Sequence, residues 1–423
     1  MYKYFSLKYL FLIIFLLTYI FGFFLRENIA GGAEKDFLEF TWPVILSFKL
    51  DFYHTLKNYG SFGEGSLPLF HILNAYLNPF THNQFFFQGS ITFISLINLI
   101  VFSQIIEKKL KLKKIDAIIY SSIFLILPFF RSSAFWGITE NLGWLFLLLS
   151  IKYFNLYGRE NYKGRIINIF LICFFSSLAL YIRPYLIFFP IFIILKSLIY
   201  KDYYLFKFSS IFYLLFSIPG FLLILLWDGI FKLGDDEINL IRDYHNPKFI
   251  LKNLIIFPTI FFLYLAPFEM FKNKIFSKKN IINYSLILSI LLFLNYLDIF
   301  NYLNLLSLGG GAFLKINKII FDDNLIFFLI FSSLGIVLIF NYFLISKKNK
   351  LLFFCLLIFC FPKYILQEYF EPLILIALFT LFDLGKNNYK IFQKDKTVFM
   401  FCTFFSIYYL GSFFYRYYLN PIN

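Results

Sequence analysis

The chain has 423 residues, of which 60% are hydrophobic, 24% aromatic and only 15% charged, with a net charge of +15. A soluble protein normally carries about 25% charged residues, so composition excludes an ordinary soluble domain set. Apolar runs of roughly 20 residues recur from end to end and indicate a multi-pass α-helical membrane protein.

Closed strands also satisfy a backbone in lipid, but they need alternating apolar and polar residues, which these solid runs lack. The positive charge does not indicate nucleic acid: the lysines lie in short loops between apolar runs, as cytoplasmic loops require. Cys173, Cys355, Cys360 and Cys402 all fall inside apolar runs, and their spacing fits buried thiols rather than a metal or disulfide framework.

The expected elements begin with Lys3 and Lys8, then an apolar run Tyr9–Leu25. It resembles a signal peptide, but Arg26-Glu27-Asn28 follows in place of a small-residue cleavage site. The run reads as an uncleaved first span with the N-terminus cytoplasmic. Residues 26–84 then form a first outer loop. Further runs follow at Phe85–Ile106, Ile115–Phe130, Asn141–Tyr157 and Ile166–Ile182. Arg183-Pro184 breaks the last, and Tyr185–Leu195 resumes it. Phe208–Trp227 leads to a second outer loop, residues 228–252. Leu254–Phe268 and Ile281–Leu297 lead to a third, residues 298–323. Leu325–Ile345, a Lys347–Lys350 turn, a short run at Leu351–Phe361 (a re-entrant segment or tilted half-helix), then Pro372–Leu384 and Val398–Tyr415 complete about 13 spans. The whole reads as one all-α integral-membrane domain with the C-terminus outside. Bases far outnumber acids in the loops assigned to the cytoplasm, whereas acids slightly exceed bases in the outer loops. That asymmetry supports the orientation, in the cytoplasmic (inner) membrane of a bacterium.

His54, His71, His82 and His245 all fall on the outer side under this topology, with most groups able to do acid–base work. There is no inverted repeat of the transporter kind, no P-loop, no GxGxxG after a strand and no CxxC pair.

The first outer loop concentrates polar residues: Glu34, Asp36, Glu39, Asp51, Glu64, His54 and His71. Phe37, Phe40, Val44 and Phe48 share one helical face, and Asp36, Glu39, Pro43 and Ser47 another. Pro43 fits if the helix begins at Thr41 or Trp42. This is the pattern of an amphipathic helix lying on the outer membrane surface. Asp36 then sits at the outer mouth of the first span. A carboxylate there can take a proton from a hydroxyl within hydrogen-bond reach; it can equally be a solvated acid or a helix cap.

Two long runs enclosing a large outer loop, an acid after the first span and a Ser66-Leu67-Pro68-Leu69-Phe70 step resemble membrane glycosyltransferases of the GT-C superfamily. These include the protein mannosyltransferase, aminoarabinose transferase and Rhizobium-type lipopolysaccharide glycosyltransferase families. The resemblance implies a polyprenyl-phosphate-linked sugar as donor and a hydroxyl on a glycan, lipid or protein as acceptor. The family's acidic signature matches Glu34-Lys35-Asp36, with Asp36 first and Glu34 second as the general base of an inverting transfer. The family's Pro-Pro-Leu-Tyr step matches Leu67-Pro68-Leu69-Phe70 with one proline replaced. Its late Arg-Tyr-Phe-x-Pro step matches Glu368-Tyr369-Phe370-Glu371-Pro372, with glutamate where arginine is usual, and points to Tyr369.

A leaving phosphate needs positive charge. Arg183 and Lys363, each beside a proline helix break, are the cations expected to bind it; snorkelling anchors are the other use of such residues. Arg242, with Asp243 and His245, is expected to line a substrate cleft; His54 and His71 are expected to bind substrate, as interfacial polar groups rather than metal ligands. The sequence establishes no cofactor. A divalent cation on Asp235-Asp236-Glu237, with oxygen ligands, is the alternative to a solvated loop. Gly309–Gly311 is expected to be a turn or lid. A lipid-linked glycan flippase, a polysaccharide polymerase and an inactive structural subunit are the competing functions.

Overall fold

Backbone amides in apolar surroundings must find partners within their own segment, which favours helices. The computed structural model describes residues 2–62, 66–157, 162–227, 247–269, 278–303, 311–322, 324–362, 365–385 and 389–419, and every regular element among them is helical. The chain divides into two compact units, residues 1–238 with 402–423, and residues 239–401.

The first unit opens with α1 (Tyr2–Phe24), followed by a helical cap. The cap holds a turn at Ala33–Lys35, a π-helical turn at Asp36–Thr41, α2 (Trp42–Leu50), α3 (Phe52–Lys57) and α4 (Leu69–Leu77). The main bundle is α5 (Gln84–Leu110), α6 (Lys114–Ser122), α7 (Pro128–Trp136), α8 (Glu140–Tyr157), α9 (Tyr162–Ile182), α10 (Phe188–Ile199) and α11 (Tyr203–Leu226). In the second unit lie α12 (Pro247–Glu269), α13 (Lys278–Tyr296), α14 (Gly311–Phe321), α15 (Ile326–Phe343) and α16 (Lys347–Leu356). The last helix, α17 (Asp395–Phe414), begins in the second unit and returns to the first.

Seven helical segments among the described residues are long and apolar enough to cross a membrane: Leu7–Phe24, Gln84–Leu110, Gly164–Ile182, Tyr203–Leu226, Pro247–Glu269, Ile326–Phe343 and Asp395–Leu419. An eighth results if Lys114–Ile126 and Pro128–Trp136, bent by 71°, count as one. The bend falls where Leu127 is extended and Pro128 opens the next helix, as the residue before proline prefers. The other apolar runs give shorter or interrupted pieces. Pro184–Ile199 and Asn280–Tyr296 are short apolar helices. The run at 372–384 is a helical turn, Leu373–Ile376, then a π-helical turn, Ala377–Leu381. The lysines at 347–350 are not a turn as expected. They start α16, where the Ser346 hydroxyl accepts from the Asn349 amide.

Polar side chains tie the first unit together. The buried Lys8 ammonium meets Asp116 at 2.6 Å, pinning α1 to α6. Tyr19 bonds Ser95 between α1 and α5, and the Asn98 amide donates to the Asn141 carbonyl at 2.8 Å between α5 and α8. Between α9 and α11 the Tyr181 hydroxyl accepts from the Gly220 amide at 2.9 Å and donates to the Phe216 carbonyl at 2.7 Å. Those two groups are one helical step apart, so the hydroxyl is inserted into the ladder of α11. Pro219 lies inside the same turn, and a Cβ on Gly220 would stand 3.0 Å from the hydroxyl.

Protein covers much of the apolar face expected of the cap. Phe37, Val44 and Phe48 are fully buried, while Asp36 and Glu39 are exposed. Phe37 stacks on Phe87 of α5 at 6.0 Å and 17° and packs on Trp136 of α7 at 6.4 Å. The apolar stripe therefore serves protein packing. α2 does begin at Trp42, with Pro43 in its first turn.

In the second unit α12 packs on α15 where Gly335 faces the Pro258 carbonyl so closely that a Cβ would collide with it. Small residues allow such approach between helices. The Ser332 hydroxyl donates to the Ile255 carbonyl at 2.8 Å along the same seam.

Truncating Phe37 to Ala should cost about 3–5 kcal/mol by leaving a cavity. Leu38→Ala, at a side chain 46% exposed, should change stability by no more than about 0.5 kcal/mol. Thermal unfolding of both variants in detergent checks the contrast.

Candidate functional site

The cap starts where α1 ends. Arg26 adopts φ 52 and turns the chain out of the helix. Glu27 then folds back on Arg131 of α7, a fully buried guanidinium whose Nε lies 2.6 Å from Glu27 Oε1 and whose Nη2 donates to Oε2 at 2.7 Å. The guanidinium also donates to the carbonyls of Thr18 and Leu125 and lies 4.6 Å above the Tyr409 ring. The Tyr409 hydroxyl donates to Glu27 Oε2 at 3.2 Å, and Trp136 Nε1 donates to the Glu27 carbonyl at 3.2 Å. Gly22 makes room: a side chain there would press on the guanidinium. Burial pushes the Glu27 carboxyl above its ordinary range, against the downward pull of Arg131. Asn28 and Ala30 continue the anchor through Tyr417 and Ser132.

Asp36 and Glu34 emerge from this anchor on exposed positions. Asp36 opens the π-helical turn, and its amide donates to the Gly32 carbonyl at 3.0 Å. The adjacent Phe37 is the residue packed on Trp136. Lys35 and Glu39 form an exposed pair at 3.7 Å.

Arg183 sits at the extended step after α9, as the Arg-Pro break predicts. Its guanidinium is paired with Glu140, the first residue of α8, and their side chains are only 17% and 9% exposed. Glu140 lies four residues beyond Trp136, across a left-handed Gly137 that ends α7. Asp36, Glu140 and Arg183 thus belong to one end of the first unit, and Lys8 with Asp116 marks the other.

The two histidines differ. His71 is fully buried and bonds the Tyr59 hydroxyl at 3.0 Å; Tyr59 in turn stacks on Trp227 at 6.0 Å and 11°. His54 is exposed, in α3, whose N-terminus is capped by Asp51. Tyr369 is half-buried in a 3₁₀ turn of the second unit, Gln367–Phe370. Beside it the Tyr264 hydroxyl donates to the buried Glu371 at 2.7 Å, and Gln367 accepts from the Ala312 amide at 2.7 Å. Gly311, expected in a lid or turn, has φ +76 and opens the eleven-residue helix α14. Lys363, Arg242, Asp243, His245, Glu64 and the Asp235-Asp236-Glu237 triplet lie outside the described residues. Among the described residues no three His, Cys, Asp or Glu side chains converge as a metal site.

An apolar cleft of about 460 Å³ lies in the first unit between the cap and α9 and α11. Leu69 and Ile72 of α4, Phe174, Leu178 and Tyr181 of α9, and Leu222 of α11 are among its walls. Tyr181 is two residues from Arg183.

The fold defines an all-helical chain with several helices able to cross a membrane. Comparison of the chain with protein-family models, with curated proteins and with solved structures finds no match.

The residues that sequence reasoning passed over are Glu27, Arg131 and Glu140. Arg131 carried a signal, because a lone arginine between apolar residues needs a buried partner. Arg131→Met should destabilise the chain by about 3–5 kcal/mol, since it leaves Glu27 buried without its countercharge. The double variant Glu27→Leu with Arg131→Met should recover much of the loss. Thermal unfolding of the single and double variants measures the coupling.

Proposed function

We propose that the chain is an inverting glycosyltransferase that takes a sugar from a polyprenyl-phosphate donor to a hydroxyl acceptor. It works at the outer face of a bacterial cytoplasmic membrane, with its N-terminus inside. The shorter helices at Pro184–Ile199 and Asn280–Tyr296 contribute to its membrane part alongside the long ones. The reading rests first on one observation. Asp36 is exposed on a turn whose next residue is locked into the core against Trp136, at the same end of the unit as the Glu140–Arg183 pair. A general base needs both reach and a rigid mount, and this carboxylate has a rigid mount.

The apolar cleft supports the same reading. It follows α9 from Phe174 to Tyr181 and stops just short of Arg183. A prenyl chain in the cleft leaves its phosphate near that guanidinium, which matches phosphate in charge and shape. In the reaction the acceptor hydroxyl attacks the anomeric carbon as Asp36 takes its proton. The new carbon–oxygen bond forms as the bond to the phosphate oxygen breaks. The bond's electron pair leaves with the lipid phosphate, whose charge Arg183 stabilises. Glu34, two residues away, is the second choice of base.

Asp36→Asn keeps shape and removes basicity. In membranes supplied with polyprenyl-phosphate sugars it should transfer sugar about 10²–10⁴-fold more slowly than the parent chain. Transfer at the parental rate would remove Asp36 from the reaction. Movement of labelled donor across the bilayer, with no acceptor modified by the parent, would replace the transferase reading with a flippase.

A further inference from the structure

The contact between Glu140 and Arg183 does not satisfy either side chain. Glu140 Oε2 and Arg183 Nε are both buried and have no hydrogen-bond partner among the described residues. One turn further along α8, Trp144 is 1% exposed and its Nε1 also has none. Glu140 and Trp144 are four apart on one helix, so they share a face. The same helix approaches Arg183 through Gly143, whose Cβ would lie 3.6 Å from Arg183 Cγ. The Trp144 ring packs 6.0 Å from the Tyr185 ring, just past Arg183. Buried polar groups are normally bonded, and leaving one unbonded costs about 1–3 kcal/mol. Here an acceptor and two donors go unmet within one turn of α8 and the adjoining break.

This combination selects a ligand class. An anion answers the two donors but not Glu140 Oε2, and a purely apolar group would leave all three atoms unbonded. A hydroxyl answers the carboxylate as a donor and answers Trp144 or Arg183 as an acceptor. Neighbouring hydroxyls on one ring do both at once.

We propose that Glu140, Trp144 and Arg183 Nε form a saccharide subsite that binds hydroxyls of the donor's sugar. Glu140 Oε2 accepts from one hydroxyl, while Trp144 Nε1 and Arg183 Nε donate to neighbouring oxygens. The subsite lies where α8 meets the Arg183-Pro184 break. It rests on the lipid-donor reading given above and specifies how the sugar, rather than the lipid, is recognised.

Purified full-length chain in detergent is titrated with undecaprenyl phosphate, and separately with undecaprenyl phosphate carrying glucose, galactose, mannose or N-acetylglucosamine. The parent chain should bind at least one glycosylated lipid about tenfold more tightly than the bare lipid, the worth of one or two hydrogen bonds. Trp144→Phe keeps an aromatic ring and loses the N–H, and Glu140→Gln changes the acceptor; each should bring that ratio towards one. Thermal unfolding reports whether each variant folds, and if Glu140→Gln does not, Trp144→Phe decides alone. A parent that prefers a sugar while Trp144→Phe prefers it equally overturns the subsite. So does a parent that binds bare lipid but discriminates among none. A parent that binds no polyprenyl phosphate at all overturns the donor class itself, which is a separate result.

Discussion

A buried ion pair, Glu27 with Arg131, fixes the first unit. Neither charge can be left alone in apolar surroundings without a cost of several kcal/mol. The pair therefore sets where α1 stops and which turn of α7 it stops against. Both carboxylate oxygens are engaged, Tyr409 closes over the guanidinium, and Trp136 holds the Glu27 carbonyl. Everything downstream inherits this register. The cap leaves α1 at a fixed point, Phe37 finds Phe87 and Trp136, and Asp36 is turned outward one residue earlier.

Much of the fold was legible because apolar content and proline act locally. The all-helical class follows from solid runs without alternation, and the Arg183-Pro184 and Trp42-Pro43 steps behaved as proline requires. Span length was less legible. Composition cannot tell an apolar run that crosses a bilayer from one that fills a protein interior, and the runs near Ile115 and Pro372 bend or change helix type. The lysines at 347–350 read as a turn from their charge, whereas the Ser346 hydroxyl caps a helix that begins with them. Phe37, Val44 and Phe48 show the same limit: periodicity identified their shared face, but only tertiary contact decides whether lipid or protein covers it.

The site divides along the same line. Asp36 and Arg183 could be picked out as polar residues beside helix ends. Their partners could not, because Glu140 and Glu27 are distant from Arg183 and Arg131 in the chain and meet them only through helix packing. Arg183 is matched by a carboxylate, which makes it an oriented donor rather than an exposed charge. His71 is buried and bonded to Tyr59, a pairing that the seventeen-residue spacing from His54 does not reveal.

The Tyr181 hydroxyl gives α9 and α11 a property that shape alone would not. It completes a broken step of α11 by occupying both halves of it, so the two helices are indexed to each other like teeth. Sliding α11 by a single residue would strip an amide and a carbonyl of their partner in a setting where water offers no replacement. The wall of the apolar cleft formed by α9 and α11 is thereby indexed as one piece, while Leu69 and Ile72 on the cap side stand on a short helix of their own.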